Sequence, residues 1–272
     1  MTGPDTPVRE FVTHIRELAV VDSSRAWLEA MSDAGAIAAS ATAGQWPTTA
    51  LIAAAHDSGG GLVGGRLTGR WTSVVGARYA DRFLLPVRGG TNRHVVVARD
   101  SVRVDIGSDS TALRAAGLAD VTASDVVVSP ADVFAPDPGG PVLTVTGATA
   151  TMVGSAQGLW LRHVEQLRSH LAAHPGGTTA DSDAAQVARA ASDIDAAELQ
   201  LTESAAAEPD LEVTVWVCRQ VVARARSAAD RLLEHSRHAL DADDPATRRW
   251  GEVDAGARLA VRVFDAAAAS LR

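Results

Sequence analysis

The chain of 272 residues contains no lysine; all 25 of its basic side chains are arginine. A Schiff-base mechanism and a phosphate loop built around lysine are thereby excluded. Cys218 is the only cysteine, so neither an internal disulfide nor a multi-cysteine zinc site can form. It lies between Val217 and Arg219 in a helix-periodic run and reads as a small buried residue. Aromatic residues are scarce, at 4% of the chain, and the tryptophans 27, 46, 160, 216 and 250 read as core or interface groups. No apolar run approaches the ~18 residues needed to span a membrane. The first ten residues, MTGPDTPVRE, lack the apolar core of a secretory leader. The chain therefore reads as cytoplasmic. Its net charge of −8 argues against a nucleic-acid or anionic-membrane partner, either of which calls for a basic face.

What is present is alanine-rich and globular, with 46% hydrophobic and 21% charged residues. From Val8 to about His56 the composition is helical. Phe11, Ile15, Leu18 and Ala19 share one helix face, Asp22 or Ser23 suits an N-cap, and Ala26, Trp27, Ala30 and Met31 mark a second helix. A third apolar segment, 48–56, runs into the glycines 59–61, which open a region of period two. There, 83–87 and 94–98 read as a hairpin across a glycine-containing loop. Val102, Val104 and Ile106 alternate with charge as a half-wet strand does, and 121–128 reads as a strand broken at 123–125. The prolines at 130, 136, 138 and 141 are expected to end the sheet and form a linker.

From Thr149 the helical period returns. The stripes are Trp160, Val164, Leu167 and Leu171, stopped at His174–Gly177; then Ala190, Ile194, Ala197 and Leu201; then Cys218 to Leu233, running on to about Leu240; and finally Leu259 to Leu271. The expected class is α+β: a small antiparallel β-domain flanked by helices, with a C-terminal antiparallel four-helix bundle. The expected boundaries are a helical segment at 1–57, the β-domain at 58–136 and the bundle at 137–272.

In the stretch 62–136 a Gly-Arg-Trp turn (Gly69-Arg70-Trp71) is followed by Ala80-Asp81 before an apolar strand, a hairpin, Gly117-Leu118, and a Val-rich strand leading to Val133-Phe134-Ala135-Pro136. That order resembles the middle β-domain of the acyl-CoA dehydrogenase superfamily, including its flavin-dependent monooxygenase branch. The resemblance covers the β-domain and the bundle from roughly Ala53 onward; the preceding helices match only the end of the family's longer first lobe. It implies FAD held between β-domain and bundle, oxidation of an acyl-CoA or similar acyl thioester, and a homo- or hetero-oligomer built through the bundle. Trp71, Thr72 and Ser73 would line the flavin, and Arg248 would meet its phosphates or adenine in a dimer.

The departures from the family pattern lie at the chemistry. Val75 stands where a hydroxyl is expected to hold the flavin ring. Ala54-Ala55-His56-Asp57-Ser58-Gly59 replaces the acidic-proline loop over the substrate, and Gly251-Glu252 replaces an Arg-Asp pair after Arg248. The monooxygenase histidine is absent from 255–258. The dehydrogenase base has no counterpart either, since no motif selects among Glu203, Glu208 and Glu234. No catalytic residue is assigned on this ground. The alternative expectation is a non-catalytic scaffold or an inactive partner subunit.

Other signals have plain readings. His56-Asp57-Ser58 is a loop rather than a triad, whose members converge from separate elements. The pairs His170/His174 and His235/His238 sit at metal-ligating spacing without a third ligand, and no metal is expected. Gly154 and Gly158 are read as points of close helix contact.

Overall fold

Two N-terminal helices follow from the periodicity at the start of the chain. The first, α1 (Val8–Val21), buries Phe11, Val12, Ile15 and Ala19. The second, α2 (Ser23–Ala38), starts where the Asp22 carboxylate accepts the Arg25 N–H at 2.9 Å. The computed structural model describes residues 8–38, 50–88, 93–107, 112–135, 139–173, 181–206, 210–234, 241 and 243–271. The expected loop tip at 89–92, the helix stop at 174–177, residues 235–240 and Trp46 lie outside those residues.

The strands are β1 (Ile52–Ala54), β2 (Gly60–Val63), β3 (Arg66–Val74), β4 (Arg82–Arg88), β5 (Arg93–Ala98), β6 (Arg103–Asp105), β7 (Ala119–Val127) and β8 (Val133–Phe134). They form one sheet in the order β6-β7-β3-β2-β4-β5-β8, with β1 also on β4. The sheet is mainly antiparallel. The parallel pairs are β1 with β4, Ile52 opposite Arg82, and β2 with β4, Gly60 opposite Val87. β1 and β2 thus lie end to end along one edge of β4, and residues 55–59 leave the sheet between them.

Three sequence expectations are corrected here. The described part of segment 48–56, from residue 50, is not helical: 52–54 pairs in the sheet, where its three alanine and isoleucine side chains are buried. β7 is not broken at 123–125; it continues through a bulge, stepping from Gly69↔Ala123 to Leu67↔Val126 with Asp125 at φ 59°. The prolines do not end the sheet either, because Val133 and Phe134 add β8 to β5 beyond Pro130.

Helices α3 (Gly140–Ala173), α4 (Asp181–Ala206), α5 (Leu211–Glu234) and α6 (Pro245–Ala269) make the bundle. Helix α3 begins at Gly140, well before Thr149, with Pro141 in its first turn, where the missing N–H costs no bond. Its buried face is Val145, Thr149, Met152, Val153, Ala156 and Leu159, not the stripe 160–171, which is half-buried or exposed. The misassignment has a physical cause. Small and hydroxyl residues make the inner face, their hydroxyls satisfied by carbonyls one turn back, as for Thr149 on Val145 at 2.7 Å.

Helices α5 and α6 run in opposite directions, because Arg219 pairs with Asp265 while Arg226 pairs with Asp254. Helices α1 and α2 share one continuous core with α3–α6. No helix among the described residues is long and apolar enough to cross a membrane.

Cys218 is fully buried in this core, and burial pushes its thiol up to about 11. The thiolate is then about one part in ten thousand at pH 7. Native protein is expected to resist a thiol reagent for hours and to react within minutes in denaturant. Rapid labelling of the folded chain would contradict its placement.

Candidate functional site

Alternation along the sheet sorts the site from the core. Phe83, Leu85 and Val87 of β4 point to one face, with Trp71, Val95 and Val97. Leu84 points to the other, with Ile52, Ala54 and Val96. That second face is covered by the C-terminal half of α6, the start of α3 and the end of α2. Between them lies a cavity of about 1030 Å³, lined by Ala54–Gly59, Leu84, Pro86, Arg88, His94, Thr144 and residues 262, 263, 265–267, 269 and 270 among others. This volume is at the upper end of what small-molecule pockets occupy.

Two histidines face this space. His56 continues the alternation of Ile52 and Ala54 into the loop, and His94 on β5 stands opposite Pro86 on one side and Phe134 on the other. Nε2 of His56 and Nδ1 of His94 are sealed from solvent without a hydrogen-bond partner in the protein. Burial lowers His56 to about 4, aided by the positive charge of Arg262 and by His94; burial alone lowers His94 to about 4. Both rings are therefore neutral at pH 7. An unmatched buried nitrogen costs ~1–3 kcal/mol.

The loop carrying His56 is tied down by its neighbours. The Ala55 N–H donates to Leu84 O at 2.9 Å, and Arg88 Nε donates to Ser58 O at 2.8 Å. Arg262 on α6 reaches Asp57 Oδ2 at 3.5 Å, and donates to Thr72 O at 3.2 Å and to the Thr72 hydroxyl. One guanidinium thus joins the loop, the β3 bulge and the bundle.

The sequence-derived residues are placed as follows. Thr72 and Ser73 form a second bulge, between Trp71↔Val121 and Val74↔Ala119. Ser73 takes φ 52°, costly for a residue with a side chain, and the Asp120 carboxylate stabilises it by accepting the Ser73 N–H at 2.9 Å. Burial alone would raise Asp120, but that N–H and Arg70, at 2.7 Å, hold it below the usual carboxylate range. Trp71 is fully buried in the sheet core, where Nε1 donates to Pro86 O at 2.9 Å. Val75 packs into the bundle core.

Arg248 is exposed in the first turn of α6. It lies fourteen positions, hence ~21 Å of helix, from Arg262. Within one chain Thr72 and Ser73 are therefore brought together with Arg262 and not with Arg248. Neighbouring Arg249 is the buried one, donating to Val20 O at 2.8 Å and pairing with Glu252 at 2.7 Å.

Sequence reasoning passed over His94 and Arg262 and set His56 aside as a loop residue. The available signal was phase: His56 and His94 fall on the same face as Ala54 and Val96.

Solved structures share this fold. The chain is similar to the 3-HSA hydroxylase from Rhodococcus sp. RHA1, at 22% identity and TM-score 0.80 over 96% of this chain and 81% of that one. It is similar to the HsaA monooxygenase from M. tuberculosis, at 21% identity and TM-score 0.78 over 96% and 83%. It is also similar to XiaF from Streptomyces sp., solved with FADH2 and glycerol, at 19% identity and TM-score 0.76 over 99% and 83%.

The fold is that of the acyl-CoA dehydrogenase superfamily.

No family model and no curated protein matches the sequence. In this version of the acyl-CoA dehydrogenase fold, the acids lining the cavity among the described residues are Asp57 and Asp265. Each is already held by an arginine, Asp57 by Arg262 and Asp265 by Arg219 at 2.6 Å. Glu203 and Glu234 do not line it, and Glu208 is outside the described residues. Among the described residues, no group of three or more metal-ligating side chains converges.

Proposed function

We propose that the chain is a flavin-dependent oxidoreductase, with the flavin ring held in the cavity between the sheet and α6. The observation that carries this reading is a cavity large enough for a flavin ring, lined by His56, His94 and Arg262 together with apolar side chains. Flavin supplies two-electron redox chemistry that no side chain of this protein can. The Thr72–Ser73 bulge and Arg262 would border the ring, His56 or His94 would hydrogen-bond it or its substrate, and the apolar walls of Leu84, Pro86 and Val263 would exclude water. FAD is the flavin that the sequence resemblance favours, with Arg248 reaching its distal half across a subunit boundary in a homo- or hetero-oligomer.

An acyl thioester is the substrate class that the same resemblance suggests. The absence of an unpaired carboxylate from the described lining weighs against α-proton abstraction, the step such a substrate requires. Oxidation that needs no carboxylate base fits these residues better.

A second reading is a non-catalytic partner subunit. It is favoured by one contact: Arg262 already occupies both the carbonyl and the hydroxyl of Thr72.

Titration of the purified chain with FAD and with FMN, oxidised and dithionite-reduced, tests the proposal by flavin absorbance and tryptophan fluorescence. Because Val75 and Gly251 each remove a contact, the expected outcome is weak but saturable binding, on the order of micromolar. No binding of any flavin form at ~1 mM would leave the partner-subunit reading.

A further inference from the structure

We propose that the His56–His94 end of the cavity is a binding site for a small carboxylic acid with an apolar body. The proposal goes beyond the flavin and does not require it to be present.

The charges at the site point to an anion. Arg70, Arg88 and Arg262 line the cavity, opposed by Asp57 and Asp265. Asp265 is engaged from outside by Arg219 at 2.6 Å, and Asp57 is taken by Arg262 at 3.5 Å. Arg70 is balanced by Asp120 at 2.7 Å. Arg88 donates Nε to the Ser58 carbonyl and has no carboxylate within ion-pair reach among the described residues. Beside this guanidinium stand the rings of His56 and His94, whose other nitrogens, Nδ1 and Nε2, lie outside the sealed pair and can donate. A carboxylate has two oxygens and accepts from several donors at once, and bonds to its charge are about twice as strong as neutral ones.

The walls point to the rest of the ligand. Leu84, Pro86, Val263 and Ala267 line the same cavity beside these donors. An apolar body there removes hydrocarbon from water while the head group reaches the histidines. A compact, fully hydrated phosphate would leave that surface uncovered.

The test uses the full chain without added flavin, with benzoate, benzamide and inorganic phosphate as probes. Binding is followed by calorimetry and by the imidazole ¹⁵N resonances. Benzoate is expected to bind at least tenfold more tightly than its neutral analogue benzamide and more tightly than phosphate, shifting the resonances of both histidines. His56→Phe and His94→Phe are each expected to weaken benzoate by roughly 10–100-fold, as loss of a bond to a charged group implies. The wild-type comparison stands even where a variant fails to fold. Equal affinity for benzoate and benzamide, tighter binding of phosphate, absence of any binding, or folded variants of both histidines that bind as the wild type does would each overturn the proposal. Because no flavin is present, these outcomes are separate from those of the flavin titration.

Discussion

Trp71→Ala is expected to destabilise the protein by about 3–5 kcal/mol, the usual cost of removing a large aromatic from a core. Trp71 is fully buried in the sheet core. Its ring fills a slot made by two glycines: a Cβ on Gly60 would come within 2.7 Å of it, and one on Gly59 within 3.1 Å. Its Nε1 donates at 2.9 Å to the carbonyl of Pro86, a residue that lines the cavity on its other face. Truncation would therefore leave a void behind the sheet and an unmatched carbonyl beside the site. Trp71→Phe keeps most of the packing and loses the bond, for a smaller cost of ~1–3 kcal/mol. Urea unfolding followed by circular dichroism checks both. With a slope of ~1–3 kcal/mol per molar, the alanine variant should lose about 1 M or more in midpoint. A shift under ~0.3 M would show that the ring is not structural.

Gly154→Ala should lower stability by about 1–2 kcal/mol or more although alanine is the better helix former. The added Cβ would lie 2.1 Å from the Arg16 carbonyl oxygen and 2.7 Å from Ala19 Cβ. A backbone carbonyl inside a packed helix cannot step aside, so α1 must move off α3. Overpacking of this kind costs ~1–3 kcal/mol or more, against at most ~1 kcal/mol gained in propensity. Gly147→Ala provides the contrast. Its Cβ would meet the edge of the Phe11 ring at 3.0 Å, and a side chain can yield by a few tenths of an ångström. Thermal unfolding of both variants should show a large drop for position 154 and a small one for 147. Equal drops would mean that helix propensity, not the α1 contact, decides the result.

Legibility differed sharply between elements. The hairpin of β4 and β5 was readable because alternation and a glycine-containing loop are local properties. Helix α1, the Ala190–Leu201 stripe and most of the Cys218–Leu233 stripe were readable because leucine, isoleucine and phenylalanine mark a buried helical face. Helix α3 was misread on its inner side. Thr146, Thr149, Thr151 and Ser155 are all buried there, and in sequence they look like a wet face. Their hydroxyls are satisfied within the helix, so only the packing of neighbouring helices against them, such as Cys218 of α5 on Thr149 and Ser23 of α2 on Ser155, reveals the burial.

The sequence by itself determined the α+β class, the switch from period two to period 3.6 and the order of elements shared with the acyl-CoA dehydrogenase superfamily. It also ruled out lysine and disulfide chemistry. These are properties of local pattern and of residue type, which no tertiary contact can change. The turn expected at Gly69–Trp71 and Ser73, by contrast, proved to be part of strand β3, bulged at Thr72 and Ser73. Only the tertiary structure decided which polar groups meet. His56, His94 and Arg262 are separated by 38 and 168 positions along the chain, and no spacing rule links them. They converge because β1 and β2 share one edge of β4, which pushes residues 55–59 out of the sheet toward α6. The same long-range geometry carries Arg248 away from the site along α6 while Arg262 reaches it, since a helix separates residues by rise along its axis whatever their chemistry.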